Sequence, residues 1–223
     1  VHDLSDARRR FLKPGGAIIP RRIRLHLAGV EAPALYARAD AWGREPVPDP
    51  FRWVRGRAVN TTYPVRLSAD QLLLAPAVLG DLDLYTERDR VHSWHVTLRA
   101  SRAGVLHGLA GWFECELADG IWMSNSPLAT APINRSQAFL PLGEPIGLGE
   151  GEVTSATILA RPADDLLAWS VTGPGGLRQR HSTWQGALLT REDVVRAGGG
   201  RVPTPNARGR ARAVSGVLRI PRV

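Results

Sequence analysis

Three groups of residues have types and spacings that could do chemistry. His92 and His95 form a His-x-x-His pair of the kind that ligates metals, Asp81 and Asp83 could act as paired carboxylates, and Cys115 could be a nucleophile. Each is weakened by its surroundings. Residues 92–99 alternate apolar and polar as a strand does, and positions i and i+3 of a strand face opposite sides. No third histidine or carboxylate follows at ligand spacing. Asp81 and Asp83 alternate with Leu82 and Leu84 and share one strand face, where solvent or arginines would satisfy them. Cys115 lies within Trp112-Phe-Glu-Cys-Glu-Leu117 and reads as a small strand residue. As the single cysteine it excludes an intrachain disulfide and a Cys-rich zinc site, and it fits a reducing cytoplasm. Gly147-Leu-Gly-Glu-Gly151 lacks a strand-to-helix setting and reads as a turn. No Gly-x-Ser-x-Gly, P-loop or zinc-protease motif occurs. The residues therefore nominate no catalytic, cofactor-binding or metal-binding set of their own.

Composition narrows the classes further. At 223 residues the chain can bury one sizeable core. No run of eighteen apolar residues could span a membrane as a helix, and no apolar stretch of secretory type follows the first charges. The net charge of +8 invites a nucleic-acid reading, but the basic residues are 28 arginines against one lysine, Lys13. They are spread through every segment, without the interleaved aromatic and basic pattern of a single-strand platform. The charge favours solubility and attraction to acidic partners over nucleic acid.

The elements that must position any site read as follows. Residues 1–13 suggest a helix, broken by Lys13-Pro-Gly-Gly16, after which Ala17-Ile-Ile19 restarts as strand. Ile23, Leu25 and Leu27 alternate with Arg22, Arg24 and His26 in a half-buried strand, which puts His26 on the wet side. Residues 30–64 differ. Leu35-Tyr36 starts a short helix that Ala39 to Trp42 could extend, then Pro46, Pro48 and Pro50 forbid regular structure, and Phe51, Trp53 and Tyr63 need a surface to bury against. From Val65 onward short strands recur. They are expected at 72–79, 81–85, 92–99, 105–117 (with Gly108 and Gly111 suiting a bulged strand), 121–124, 138–140, 152–161, 166–172 and 177–183. Turns include Asp119-Gly120, a glycine-rich 143–151 and Gly173-Pro-Gly-Gly176. A short helix at 191–197, a Gly/Arg/Pro-rich tail and a last strand at 214–220 complete the reading. This pattern argues for an all-β fold, antiparallel and barrel-like, with an inserted segment at about 33–64 and a short N-terminal helix.

The succession resembles the C-terminal β-barrel of the protein arginine methyltransferases, in the form of a divergent bacterial-type member. Phe11-Leu-Lys-Pro-Gly-Gly-Ala-Ile-Ile-Pro20 is similar to that family's junction from Rossmann domain into barrel. Leu72 to Tyr85 resembles the re-entry after the dimerisation arm, and Leu106 to Leu117 the strand ending in an aromatic pair and an acidic residue. Ser124-Asn-Ser-Pro127 resembles its Ser-Thr-x-Pro turn, and Gln137-Ala-Phe139 the segment after it. The match spans about residues 1–185 in order.

The resemblance implies that residues 1–20 are the tail of a Rossmann-like domain and its junction, 21–190 the β domain with its arm, and 191–223 a tail. It implies S-adenosylmethionine as cofactor, held by a Rossmann half that supplies the donor site. It also implies a homodimer through the arm and a protein or peptide acceptor. Where the family carries Thr-His-Trp before the glutamine, this chain reads Ile133-Asn134-Arg135-Ser136-Gln137. Asn134, Arg135 and Gln137 are thus the implied substrate-side residues. An arginine in place of tryptophan repels a guanidinium unless it is turned away or paired. The expected function is substrate binding and dimerisation for an S-adenosylmethionine-dependent methyltransferase, inactive alone. The alternative is a free-standing β module that binds an acidic protein or nucleic acid.

Overall fold

The computed structural model describes residues 2–88 and 90–187. The expectations for 191–197, for the Gly/Arg/Pro-rich tail and for a strand at 214–220 lie outside the described residues. The chain opens with helix α1 (His2–Phe11) and a turn in which Gly16 N–H donates to Lys13 O at 2.9 Å, with Gly15 at φ +73°. Arg8 ties α1 to the body by donating to Leu84 O (2.8 Å) and Glu87 O (2.9 Å).

Two antiparallel sheets follow. The six-stranded sheet runs β2 (Tyr63–Val65), β7 (Gln137–Leu148), β5 (Gly104–Ala118), β1 (Arg22–Val30), β3 (Ala77–Asp83), with β6 (Ile121–Ser124) paired to the far end of β5. The four-stranded sheet runs β10 (Arg178–Ser182), β9 (Leu166–Thr172), β8 (Val153–Arg161), β4 (His92–Arg99). The all-β expectation holds, but the strands do not close into one hydrogen-bonded barrel. β3 lies beside β4 without a ladder. The other seam, between β7 and β10, is crossed by side chains: Gln179 and His181 accept from Glu144 N–H (2.9 Å) and Gly143 N–H (3.2 Å).

Alternation explains which face each strand buries. Leu27, Leu98, Leu109, Leu140, Ile158 and Trp169 form the core between the sheets, and Trp169 Nε1 donates to Pro141 O at 3.0 Å. On the outer side of the six-stranded sheet a second cluster (Val30, Tyr36, Val65, Ala110, Trp112, Phe139) packs under the 33–67 segment. That segment holds α2 (Pro33–Asp40) and α3 (Val54–Ala58). Its first helix was expected; α3 was not.

Several expectations need correction. Ile18 and Ile19 do not restart as strand: pairing begins at Arg22, because Pro20 offers no N–H and Ile18 N–H instead meets the Tyr85 hydroxyl at 2.9 Å. The 143–151 region is not all turn, since β7 continues to Leu148 despite Pro141 and Pro145. Its pairing with β5 is interrupted between Gly108↔Pro141 and Leu106↔Ile146, and the freed backbone is met by β10 side chains. His26 is not solvated: its ring stacks on Trp112 (5.8 Å, 7°) and its Nε2 lies 3.1 Å from Glu114.

Gly108 sits at that interruption, where a Cβ would come within 2.5 Å of Leu140 O and of the Phe139 ring. A carbonyl of the neighbouring strand cannot rotate away as a side chain can. Gly108→Ala is expected to cost about 1–3 kcal/mol in chemical denaturation. An unchanged midpoint would mean that β5 and β7 separate freely there.

Candidate functional site

The loop between β6 and β7 (residues 125–136) carries two of the implied substrate-side residues, Asn134 and Arg135, while the third, Gln137, opens β7. The loop base is latched by two side-chain amides. Asn125, fully buried, accepts from Phe113 N–H at 2.9 Å and donates to Ser136 O at 2.9 Å. Gln137, also buried, donates to Asn125 O at 2.6 Å and accepts from Leu67 N–H at 3.0 Å. Every polar atom of the Gln137 amide group is thus engaged with backbone, and its place is beneath the loop. Ile133 N–H donates to Ser124 O at 2.8 Å, which pulls the return of the loop against β6. Burying two amides with matched backbone partners makes such a base costly to open.

The latch leaves Asn134 and Arg135 on the outside. Asn134 Oδ1 accepts from the Arg66 guanidinium, and Arg135 is exposed. The structure therefore brings Asn134 next to Arg66, leaves Arg135 at the surface, and separates both from the buried Gln137. Arg66 and Asn125 were missed in the sequence. Asn125 is the polar residue of Ser124-Asn-Ser-Pro127, and that turn is the signal that could have found it.

Beside the loop, the outward face of β1 and β5 pairs opposite charges. Arg24 lies 3.1 Å from Asp81 and its guanidinium sits over the Trp122 ring at 5.4 Å, while Arg22 is 3.9 Å from Glu116. His26 and Glu114 complete the row. Asp81 is thus the arginine partner that its position suggested, and Asp83 accepts from Tyr85 N–H at 2.8 Å. A cavity of about 390 Å³ opens between the sheets near the loop base, lined by Leu25, Trp94, Phe113 and Ile158 with Asn125 and Ser136 at its polar rim.

Neither remaining sequence candidate forms a reactive centre. His92 is buried and stacked on Trp94 (5.0 Å), whereas His95 is exposed with Nδ1 at 3.1 Å from Thr157 Oγ1. Cys115 is buried on β5, and burial pushes its thiol up, so it stays protonated at neutral pH. Among the described residues no group of three or more His, Cys, Asp or Glu could hold a metal ion.

The helical 33–67 segment is fastened to β7 by a polar network. Asp40 is buried; it accepts from Arg55 Nε at 2.8 Å and pairs with Arg44. The other end of Arg55 reaches Tyr36 Oη (3.0 Å), Gly143 O (2.5 Å) and Glu144 (3.2 Å). Tyr36 donates to the same Gly143 carbonyl at 2.8 Å. Burial raises the Tyr36 pKa, so it remains a donor at any ordinary pH. Burial opposes the Arg55 cation, but Asp40 and its other partners more than offset this and its pKa rises.

No family model matches the chain. Among curated proteins it is similar to an arginine N(omega)-methyltransferase of Streptomyces achromogenes subsp. streptozoticus, 28% identical over 151 residues, which cover 66% of this chain and 40% of that protein. The histone-arginine methyltransferase CARMER of Drosophila persimilis is 25% identical over 177 residues, covering 68% of this chain and 31% of its own length. The chain thus spans less than half the length of the curated relatives it matches.

Among solved structures, the arginine methyltransferase enzyme–prozyme heterotetramer of Trypanosoma brucei with AdoHcy superposes with a TM-score of 0.69 at 13% identity. The match covers 81% of this chain and 62% of that one. Protein arginine methyltransferase 10 of Arabidopsis thaliana gives 0.63 at 17% identity, covering 81% and 64%. At such identities the structures speak for the fold. In sequence and in fold, this chain is similar to the protein arginine methyltransferases.

Proposed function

We propose that this chain is the substrate-binding and dimerisation β domain of an S-adenosylmethionine-dependent methyltransferase of the arginine-methyltransferase type. The observation that carries the reading is the similarity to arginine methyltransferases over most of the chain, against a much smaller share of their length.

The cofactor does not fit the residues described. A donor site of this kind needs a glycine-rich turn leading from a strand into a helix N-terminus. Here the glycine-rich stretch ends β7 and turns from one sheet into β8 of the other, with no helix after it. In this reading the donor is held by a Rossmann half of the parent polypeptide, and no step of the transfer is assigned to residues of this chain. Their work is to bind and orient, which can supply much of the rate when an acceptor must attack in line.

The 125–136 loop would wall one side of the acceptor cleft, held rigid by Asn125 and Gln137 and presenting Asn134 and Arg135. The segment at 33–64 would serve as the arm of a homodimer. Arg135 has the electrostatic consequence. Two guanidinium charges at contact repel by about 1 kcal/mol in water and by about 4 kcal/mol near a protein surface. An uncharged or anionic acceptor atom suits this loop better than a plain arginine side chain.

Assays of the full-length parent on arginine-rich peptides test this directly. Low activity is expected, rising about tenfold or more on Arg135→Trp, which removes the repulsion and adds a flat face for a cation. Robust arginine methylation by the wild type would overturn the altered-acceptor reading. Methyl transfer by the present chain alone would overturn its assignment as the acceptor half.

A further inference from the structure

The four-stranded sheet has one face buried against its partner sheet and, among the described residues, one face left open. Register places Ile158, Trp169 and His181 in one buried cross-strand row. The rows on the other face start from Arg178 and Arg180 on β10. They pass to Thr172 and Ser170 on β9, and from Ser170 through Thr157 to His95 on β4. Among the described residues this face carries no Asp or Glu on any of its four strands. Arg161, at its far end, is already paired with Asp164 at 2.8 Å. Arg178 and Arg180 are exposed, and among the described residues neither has an acidic partner. This is unlike Arg24, Arg55 and Arg102 elsewhere, each of which meets a carboxylate.

We propose that this open face docks an acidic, extended segment of a partner protein. Arg178 and Arg180 are two residues apart on one strand, so their side chains repeat at about 6.6–6.8 Å. Carboxylates at alternate positions of an extended acidic peptide repeat at the same interval. The hydroxyls of Ser170 and Thr172, one strand over, can donate further hydrogen bonds to carboxylate oxygens. Binding to single-stranded nucleic acid draws on stacking against aromatic side chains. Among the described residues these four strands turn no Phe, Tyr or Trp to this face, since Trp94 and Trp169 lie in the buried row with Ile158. The face is distinct from the 125–136 loop, so the inference stands apart from the methyltransferase reading, and its test needs no methyl donor.

Fluorescence anisotropy of a labelled deca-glutamate peptide, titrated with the full chain, gives the measurement. Saturable binding is expected, weakening as salt rises from about 50 to about 300 mM. It should be weakened roughly tenfold by R178Q/R180Q, with each single substitution moving in the same direction. R9Q/R10Q on α1 removes the same net charge and should leave binding within about twofold. Three outcomes would overturn the proposal. Equal loss in both double variants would mean attraction to net charge alone. Unchanged affinity in R178Q/R180Q and both singles would place the site elsewhere. Tighter binding of a labelled deca-thymidylate, lost in the same variants, would make the face a nucleic-acid surface. Circular dichroism confirms that each variant is folded before it is titrated.

Discussion

Acidification from pH 7 toward pH 4 is expected to remove roughly 3 kcal/mol of folding stability through His181 alone. Its ring is buried and stacked on Trp169 at 5.3 Å, and Nε2 accepts from Gly143 N–H at 3.2 Å. An imidazolium could not accept that bond. Burial pulls the His181 pKa from 6.5 down to about 4. The unfolded chain takes up the proton first, so the contribution is whole above about pH 6.5 and fades as pH falls through the interval to about 4.

Urea denaturation at intervals from pH 7.5 to pH 4 measures it. His181→Gln should be less stable at neutral pH but should flatten the curve. Parallel wild-type and variant curves would assign the acid sensitivity to another group.

Asp40→Ala should cost about 2–3 kcal/mol and act locally. Removing the carboxylate strands Arg55, which is only one-quarter exposed, and frees Arg44. Breaking a buried pair costs about 3–5 kcal/mol, and the lower value here allows for solvent around the two arginines. Arg55→Ala should cost a similar amount, and the double variant little more, because both act in one network. Hydrogen exchange should show early loss of protection over 33–64 while β8 and β9 keep theirs. Uniform loss across both sheets would mean that the segment is part of the global folding unit rather than an appendage pinned by Asp40.

Legibility in the sequence followed locality. Leu166–Thr172 alternates, is bounded by turn residues, and is a strand over those same residues; 92–99 and the Asp119-Gly120 hairpin are equally local. β7 was cut short because Pro141, Gly143 and Pro145 are local breakers, whereas the groups that complete its hydrogen bonds lie 35 and 38 residues away. α3 was invisible for the same reason. Five residues including Gly56 would not hold a helix alone, and its anchor is the Arg55–Asp40 pair across the segment. His26 looked solvated because alternation reports which face a residue takes; that the face is partly covered, with Trp112 beside it, is a matter of packing.

The candidate site divides in the same way. Residue identity alone put a cation and an amide where the resembling family carries tryptophan and histidine, and it placed Cys115 inside a strand. The amide network was beyond reach, because Asn125, Gln137 and Leu67 meet only when β6, β7 and the returning segment are in place. The sequence by itself determined a chain of antiparallel strands preceded by a short helix and a turn at Lys13–Gly16, since alternation and turn chemistry are short-range properties. Tertiary structure alone decided that the strands part into two sheets and that Gln137 holds the loop from beneath. It alone left Arg178 and Arg180 on an open face, because each of these depends on which distant segments come to lie side by side.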